Sequence, residues 1–168
     1  MANYFDYFAG TAKSWLSSGG DYAMTLHNKS TGVGQEGAKG DFYHATYGIP
    51  SFVEWWLEWS ATSSPTAGNL VELYVGESDS ATAGTNNPGT LTGADAAVTS
   101  IADYKYQMSF IGVLRLAAST SVQKTSMGIL IPKRRYMVPV VVNLSGVTST
   151  NTAGNFALKG TPRYRRVS

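Results

Sequence analysis

The chain has 168 residues, no cysteine and 14% charged residues, and its formal net charge is +2. A chain of this length most simply forms one domain that buries its own core. The lack of cysteine excludes disulfides and thiolate metal sites, and it suits assembly in a reducing compartment. Abundant glycine, serine, threonine and alanine, with valine, tyrosine and tryptophan for strands, are typical of an all-β protein.

Charge is distributed unevenly along the chain. All eleven acidic residues lie at or before Asp103 together with three lysines, whereas the ten remaining basic residues follow without a single acid. The two halves either interleave and neutralise one another, or the basic residues gather on one face that suits an acidic protein surface or nucleic acid. The candidate contact residues from this half are Lys133, Arg134, Arg135, Arg163, Arg165 and Arg166.

Residues 1–20 are rich in aromatic side chains. Phe5, Phe8, Ala12 and Trp15 have near-helical spacing before a Ser-Ser-Gly-Gly break, which predicts a short helix or an arm that packs on its own domain or on a neighbouring subunit. No basic start leads into an apolar run, so we expect no secretory or membrane signal here. The candidate contact residues from this segment are Tyr4, Phe5, Tyr7, Phe8 and Trp15.

Residues 21–28 alternate apolar and polar side chains and predict a strand, and 38–48 predict a weaker one. Between them lies a glycine-dense stretch that we interpret as a turn region. Gly32, Gly34 and Gly37 match the spacing of a dinucleotide-binding loop, but no amphipathic helix follows, so the match is attributed to chance.

The segment 51–76 is expected to form the centre of the domain. Val53, Trp55, Leu57 and Trp59 share one side of a period-2 pattern, and the following strand alternates in the same way. Trp56 falls on the opposite side, where it either lies beneath a loop or is exposed to a partner.

Residues 77–103 predict a long surface loop, since irregular connections of this length tend to be functional or mobile. Its acidic residues lack the spacing of a calcium-binding loop, so no metal is predicted. Further strands are expected over 104–117, 121–131 and 137–146, and the last segment ends in a basic tail.

These patterns predict an all-β fold of about eight strands, an antiparallel two-sheet β-sandwich of jelly-roll-like topology. An immunoglobulin-like sandwich is the alternative. The predicted organisation is an N-terminal arm or short helix over residues 1–20 and one β-sandwich domain over residues 21–168.

A catalytic constellation is not apparent in the sequence. His27 and His44 are the only histidines and neither lies in a zinc-binding motif, while nucleophile-elbow and phosphate-loop motifs are missing. Glu54 and Glu58 would lie roughly 13 Å apart along one strand, at about 3.3 Å per residue, which is too far for a glycosidase pair. We therefore expect a protein that is not an enzyme and binds no cofactor or metal.

The overall order of segments resembles small virion proteins of tailed bacteriophages, and within them capsid decoration or cement proteins with a jelly-roll core. The segments that carry the resemblance are WLSSGGDYAMTL, GVGQEGAKGD, GNLVELYVGESDSATAGTNNPGTLTGAD, FIGVL and IPKRRYMVPVVVNLSG.

The resemblance implies a structural protein, made in the host cytoplasm and found on the capsid surface of the virion. Its expected partners are the major capsid protein and other copies of itself, in a homo-oligomer or multi-copy assembly, without a membrane or a specific nucleic acid. A tail or neck component, and a carbohydrate-binding module that uses Trp56 and nearby tyrosines, remain the alternatives.

Overall fold

The computed structural model describes residues 5–98 and 100–167, with the backbone alone for Phe5, Asp103, Tyr104 and Val167. Within these residues are twelve strands, the helical turn α1 (Ile101–Tyr104) and 3₁₀ turns at Lys105–Gln107 and Ala153–Asn155. The strands are β1 (Phe5–Ala9), β2 (Lys13–Leu16), β3 (Tyr22–Ala23), β4 (Gly34–Glu36), β5 (Gly40–Asp41), β6 (Phe52–Trp59), β7 (Leu70–Ser78), β8 (Ala96–Val98), β9 (Ser109–Arg115), β10 (Gln123–Leu130), β11 (Tyr136–Leu144) and β12 (Ala157–Val167).

The strands form two sheets in which nearly every pair is antiparallel. The first sheet has the order β10-β6-β12-β2-β3, with β1 also on β12, and the second has the order β8-β4-β11-β7-β9, with β5 also on β11. The eight principal strands are, in chain order, β2, β4, β6, β7, β9, β10, β11 and β12. When these are numbered 1 to 8, the first sheet has the order 6-3-8-1 and the second has the order 2-7-4-5. This order is that of a jelly roll, so the predicted all-β, two-sheet class is confirmed.

The core between the sheets forms as the alternation of the central strands predicts. Val53, Trp55, Leu57 and Trp59 of β6 are buried, and β7 contributes its own alternate residues. Trp15 packs against Trp55 with ring centroids 5.4 Å apart. Large aromatic side chains bury more apolar surface per residue than other side chains do, so this cluster accounts for much of the apolar surface buried in the core.

The outer faces of the two sheets differ. The second sheet carries a further apolar cluster beneath the connection from β7 to β9, so that β11 is buried on both of its faces. Its members are Tyr74, Leu91, Val98, Met108, Val138, Val140 and Val142. The outward residues of β6 in the first sheet are instead half-buried, except for Trp56, which is exposed.

The N-terminal segment forms strands, and the predicted short helix is wrong. β1 pairs with residues 163–167 of β12, and β2 pairs with residues 158–160 of the same strand. The helical spacing of the aromatics is local, whereas the open edge of an eleven-residue strand offers a continuous ladder of backbone partners. Trp15 is fully buried and its indole N–H donates to the Ala38 carbonyl at 2.7 Å.

The glycine-dense stretch 29–41 contains β4 and β5, so its interpretation as a turn region is also wrong, and the weaker strand predicted over 38–48 is confined to β5. Its glycines allow close packing instead: a Cβ at Gly37 or Gly40 would collide with the Trp15 indole. β4 is the second principal strand of the jelly roll and pairs with β11. The strand predicted over 21–28 is confined to β3.

The long connection after β7 includes β8 and is held by two charged side chains. The ammonium of Lys39 donates to Ser78 Oγ and to the carbonyls of Ser80, Thr82 and Thr85 at 2.8 to 3.0 Å. The carboxylate of Glu36 lies in the interior and accepts from the Thr92 N–H, the Thr92 hydroxyl and the Gly93 N–H. Such charge-assisted hydrogen bonds order a segment that has little regular structure.

Candidate protein interface

The first and last strands and two connections meet at one end of the sandwich, which we call the aromatic–basic end. It comprises β1, the second half of β12, the 42–51 connection between β5 and β6, and the 131–135 turn between β10 and β11. Strand register brings them together, because β1 pairs with residues 163–167 and Phe52 lies opposite Arg163. Residues more than 150 positions apart therefore share one surface.

The 42–51 connection is anchored at both of its ends. The Phe42 N–H donates to the Arg135 carbonyl at 3.2 Å, and the Ser51 N–H donates to the Arg163 carbonyl at 2.8 Å. Tyr164, a buried residue of β12, donates its hydroxyl proton to the Phe42 carbonyl at 2.7 Å. The connection is thus held rigidly to β11 and β12.

Aromatic rings join the connection to the N-terminal strand. The Phe8 ring lies 4.7 Å from the Tyr47 ring and 5.7 Å from the Tyr164 ring, measured between centroids. His44 lies 4.7 Å from Tyr47 and 5.2 Å from Tyr164. Edge-to-face and offset rings at these separations attract one another beyond their area burial, so β1 and the connection form one unit.

Arg135 is held in a fixed position at this end. Its guanidinium binds both oxygens of Asp41, at 2.9 and 2.7 Å, and lies over the rings of Tyr43 and Tyr136 at 4.7 and 5.0 Å. Burial alone would raise the pKa of the Asp41 carboxyl, but hydrogen bonds from Arg135 and from the Tyr43 N–H outweigh it and hold that pKa below its ordinary value.

An open hollow of about 540 Å³ lies beside Arg135. It is lined by Ile49, Asp79, Lys133, Arg134 and Arg135. Arg134 pairs with Asp79 at 3.1 Å. The hollow therefore combines an apolar side chain with a basic rim, and the neighbouring side chain of Ile131 is 69% exposed.

The acidic first part and the basic second part of the chain interleave. At least four of the six basic candidates at this end are paired with carboxylates from the first part, namely Arg134 with Asp79, Arg135 with Asp41, Arg163 with Glu54 and Arg166 with Asp6. Lys124 pairs with Glu58 in the same way. Much of the charge asymmetry is thus neutralised within the fold, which leaves this end aromatic with a modest positive character.

The structure brings together eight of the twelve sequence-predicted contact residues at this end: Tyr7, Phe8, Lys133, Arg134, Arg135, Arg163, Arg165 and Arg166. Trp15 is a core residue and offers no surface, because it fills the space between Phe42 and Trp55. Trp56 lies apart, on the outer face of the first sheet. Tyr4 and the side chain of Phe5 lie outside the described residues.

Sequence reasoning missed four residues of this surface. Tyr43, Tyr47, Ile49 and Ile131 are all exposed. The first three lie in the stretch FYHATYGIP, where aromatic density beside a Gly and Pro turn signal was available as a clue. Gly48 has a φ of 72°, which a tight turn of this kind requires.

Within residues 5–98 and 100–167, no cluster of three or more His, Asp or Glu residues is arranged to hold a metal ion. No helix in the same residues has the length and apolar character needed to cross a membrane. A comparison with protein-family models gives no match, and no curated protein matches the sequence.

Proposed function

We propose that this protein is a non-enzymatic structural component of a phage virion, of the capsid decoration or cement type, which docks on the major capsid protein through the aromatic–basic end. The observation that carries the proposal is the gathering of exposed tyrosine, isoleucine and arginine side chains at one end of a jelly roll. It rests also on the resemblance of the chain to such proteins.

The composition of this end suits a protein partner. Tyrosine and arginine are enriched among the residues that dominate binding energy at protein interfaces. Tyr43, Tyr47 and Ile49 project from a connection anchored to β11 and β12, so little conformational entropy is lost when they are covered. A cement protein that braces neighbouring subunits needs such pre-organised contacts.

The ion pairs within the aromatic–basic end predict how capsid binding should depend on salt. Because at least four of its six basic residues already have carboxylate partners, docking should depend mainly on buried aromatic and apolar area. We therefore expect occupancy of capsids to fall only weakly between low and physiological salt, unlike binding through free basic clusters.

The test is co-sedimentation of the purified protein with shells assembled from the major capsid protein of the same phage. The double variant Tyr43→Ala and Ile131→Ala removes two exposed side chains of the end and should weaken binding by roughly tenfold or more. The matched control Tyr106→Ala and Leu144→Ala removes an exposed tyrosine and an exposed aliphatic residue elsewhere, and should bind like the parent.

Two results would overturn the proposal. One is a parent protein that does not associate with the shells at all, and the other is equal binding by the two double variants. Circular dichroism of each variant establishes that the fold is retained.

A further inference from the structure

The outer face of the first sheet carries a second candidate surface, centred on Trp56, which adjoins the aromatic–basic end where Arg163 pairs with Glu54. On β6, the inward residues Val53, Trp55, Leu57 and Trp59 alternate with the outward ones, and the outward Trp56 is 41% exposed. Trp56 is thus the one tryptophan of the four whose indole this sheet presents to solvent.

A bulge in β10 opens a groove beside this indole. Ser126 lies opposite Trp56, and the register then shifts so that Gly128 lies opposite Trp55. Gly128 has a φ of 139° and no side chain, while Met127 points into the core. The resulting groove of about 330 Å³ is lined by Glu54, Trp56, Ser126, Gly128, Ile129 and Thr161.

A second hollow lies on the other side of Trp56. Lys159 of β12 is the cross-strand partner of Trp56 and lines this hollow of about 230 Å³ together with Glu58, Ser17 and Ser18. Trp56 lines the first hollow, and its cross-strand partner Lys159 lines the second. From β10 to β2 the face spans three strand spacings, about 14 Å at ~4.8 Å each, which suits an extended ligand rather than a compact one.

The polar groups around the indole are placed to bind hydroxyl groups. Arg163 Nε donates to Glu54 Oε2 at 2.8 Å and Nη2 lies 2.7 Å from the same oxygen, so these contacts leave Oε1 to accept from a ligand. Thr161 lies opposite Glu54 in the next strand. Glu58 pairs with Lys124 at 3.3 Å, so acidic and basic groups alternate along the face.

We propose that this face binds a neutral oligosaccharide built of pyranose rings, with one ring stacked on Trp56 and its hydroxyls bound by the flanking side chains. An indole matches the apolar C–H face of a sugar ring, and a few precisely placed polar groups give orientation. The alternating charges match a ligand rich in hydroxyls better than a strongly charged one. This activity is additional to capsid docking and does not rest on it.

The test uses tryptophan fluorescence, because Trp56 is the one solvent-accessible tryptophan among the four. Trp15, Trp55 and Trp59 are each 0 to 1% exposed, so acrylamide quenching reports on Trp56. Hexasaccharides of glucose, galactose, mannose and N-acetylglucosamine are titrated into the purified protein. At least one should protect Trp56 from quenching, and calorimetry should give a matching affinity.

The variant Trp56→Ala should lose that affinity by roughly tenfold or more, as expected when the central aromatic of a site is truncated. Tyr106→Ala removes a tyrosine that is 84% exposed and lies outside the face, and should bind as the parent does. Absence of protection by all four sugars, or affinity unchanged in Trp56→Ala, overturns the proposal.

The same variants separate this proposal from capsid docking. Trp56→Ala should retain capsid occupancy, and the Tyr43→Ala and Ile131→Ala double variant should retain sugar binding. Loss of capsid occupancy in Trp56→Ala without any sugar binding would instead make the face a protein interface, which also overturns the proposal.

Discussion

Lys39 offers the sharpest test of how the long connection after β7 is held. Its ammonium donates to Ser78 Oγ at 3.0 Å and to the carbonyls of Ser80, Thr82 and Thr85 at 2.9, 2.8 and 3.0 Å. The substitution Lys39→Met keeps a long unbranched stem and removes every donor. We expect the connection to loosen while the two sheets remain intact.

The size of the effect follows from the surroundings of each acceptor. Thr82 and Thr85 are exposed and their carbonyls can regain water, whereas Ser78 is fully buried. Burial also lowers the pKa of the Lys39 ammonium, a desolvation cost that offsets part of the gain. Ser80 is half-buried, so its carbonyl can also regain water. The charge-assisted hydrogen bond to Ser78 then remains to be lost, so the free energy of unfolding should fall by about 2 kcal/mol, and the melting temperature by roughly 4 to 8 °C.

The assay combines urea unfolding, followed by circular dichroism, with hydrogen exchange of the 78–86 backbone amides. Exchange of these amides should rise in Lys39→Met and stay unchanged in the matched control Lys133→Met, which replaces an exposed lysine. A loss below about 0.5 kcal/mol, the range of ordinary surface substitutions, together with unchanged exchange would refute the reasoning.

Two further predictions concern packing and pH. A Cβ at Gly112 of β9 would collide with the Met127 carbonyl of β10, so Gly112→Ala should lower the free energy of unfolding by about 3 kcal/mol in a urea titration. The control is Gly154→Ala, which has no heavy atom within 4 Å of the added Cβ and should change this free energy little. Burial, followed by the hydrogen bond from Tyr74 to Glu72, raises the pKa of Tyr74 to about 12. The folded state keeps this proton to a higher pH than the unfolded chain does, so the free energy of unfolding should fall between pH 10 and 12. The fall should be less steep in Tyr74→Phe, and equal slopes in the two proteins would contradict the prediction.

The two proposed surfaces have different physical characters. The aromatic–basic end is built from connections and chain ends, and its basic residues are largely paired within the fold. The outer face of the first sheet is built on regular strands around Trp56. The two surfaces share β12, which contributes Arg163, Arg165 and Arg166 to the first and Lys159 and Thr161 to the second.

Period-2 alternation allowed the central part of the fold to be predicted from the sequence. The inward positions of Val53, Trp55, Leu57 and Trp59 follow from local geometry alone, because successive side chains of a strand point to opposite faces. The same reasoning put Trp56 on the other face. The six basic contact candidates were predicted from charge, but the carboxylate partners of Arg134, Arg135, Arg163 and Arg166 were not.

The remainder depended on contacts between distant residues. Local spacing favoured a helix near Phe8, and glycine density favoured a turn at β4, yet both segments became strands because β12 and β11 presented open edges to them. Arg135 and Asp41 are 94 positions apart and meet only when the jelly roll closes.

The sequence by itself determined which residues alternate, which are apolar and roughly how many strands they form, since side-chain direction along a strand is a local property. Tertiary structure decided which strands pair, which charges are neutralised and which aromatics share a surface. Those outcomes depend on the register between strands far apart in the chain, and register is set by packing of the whole core.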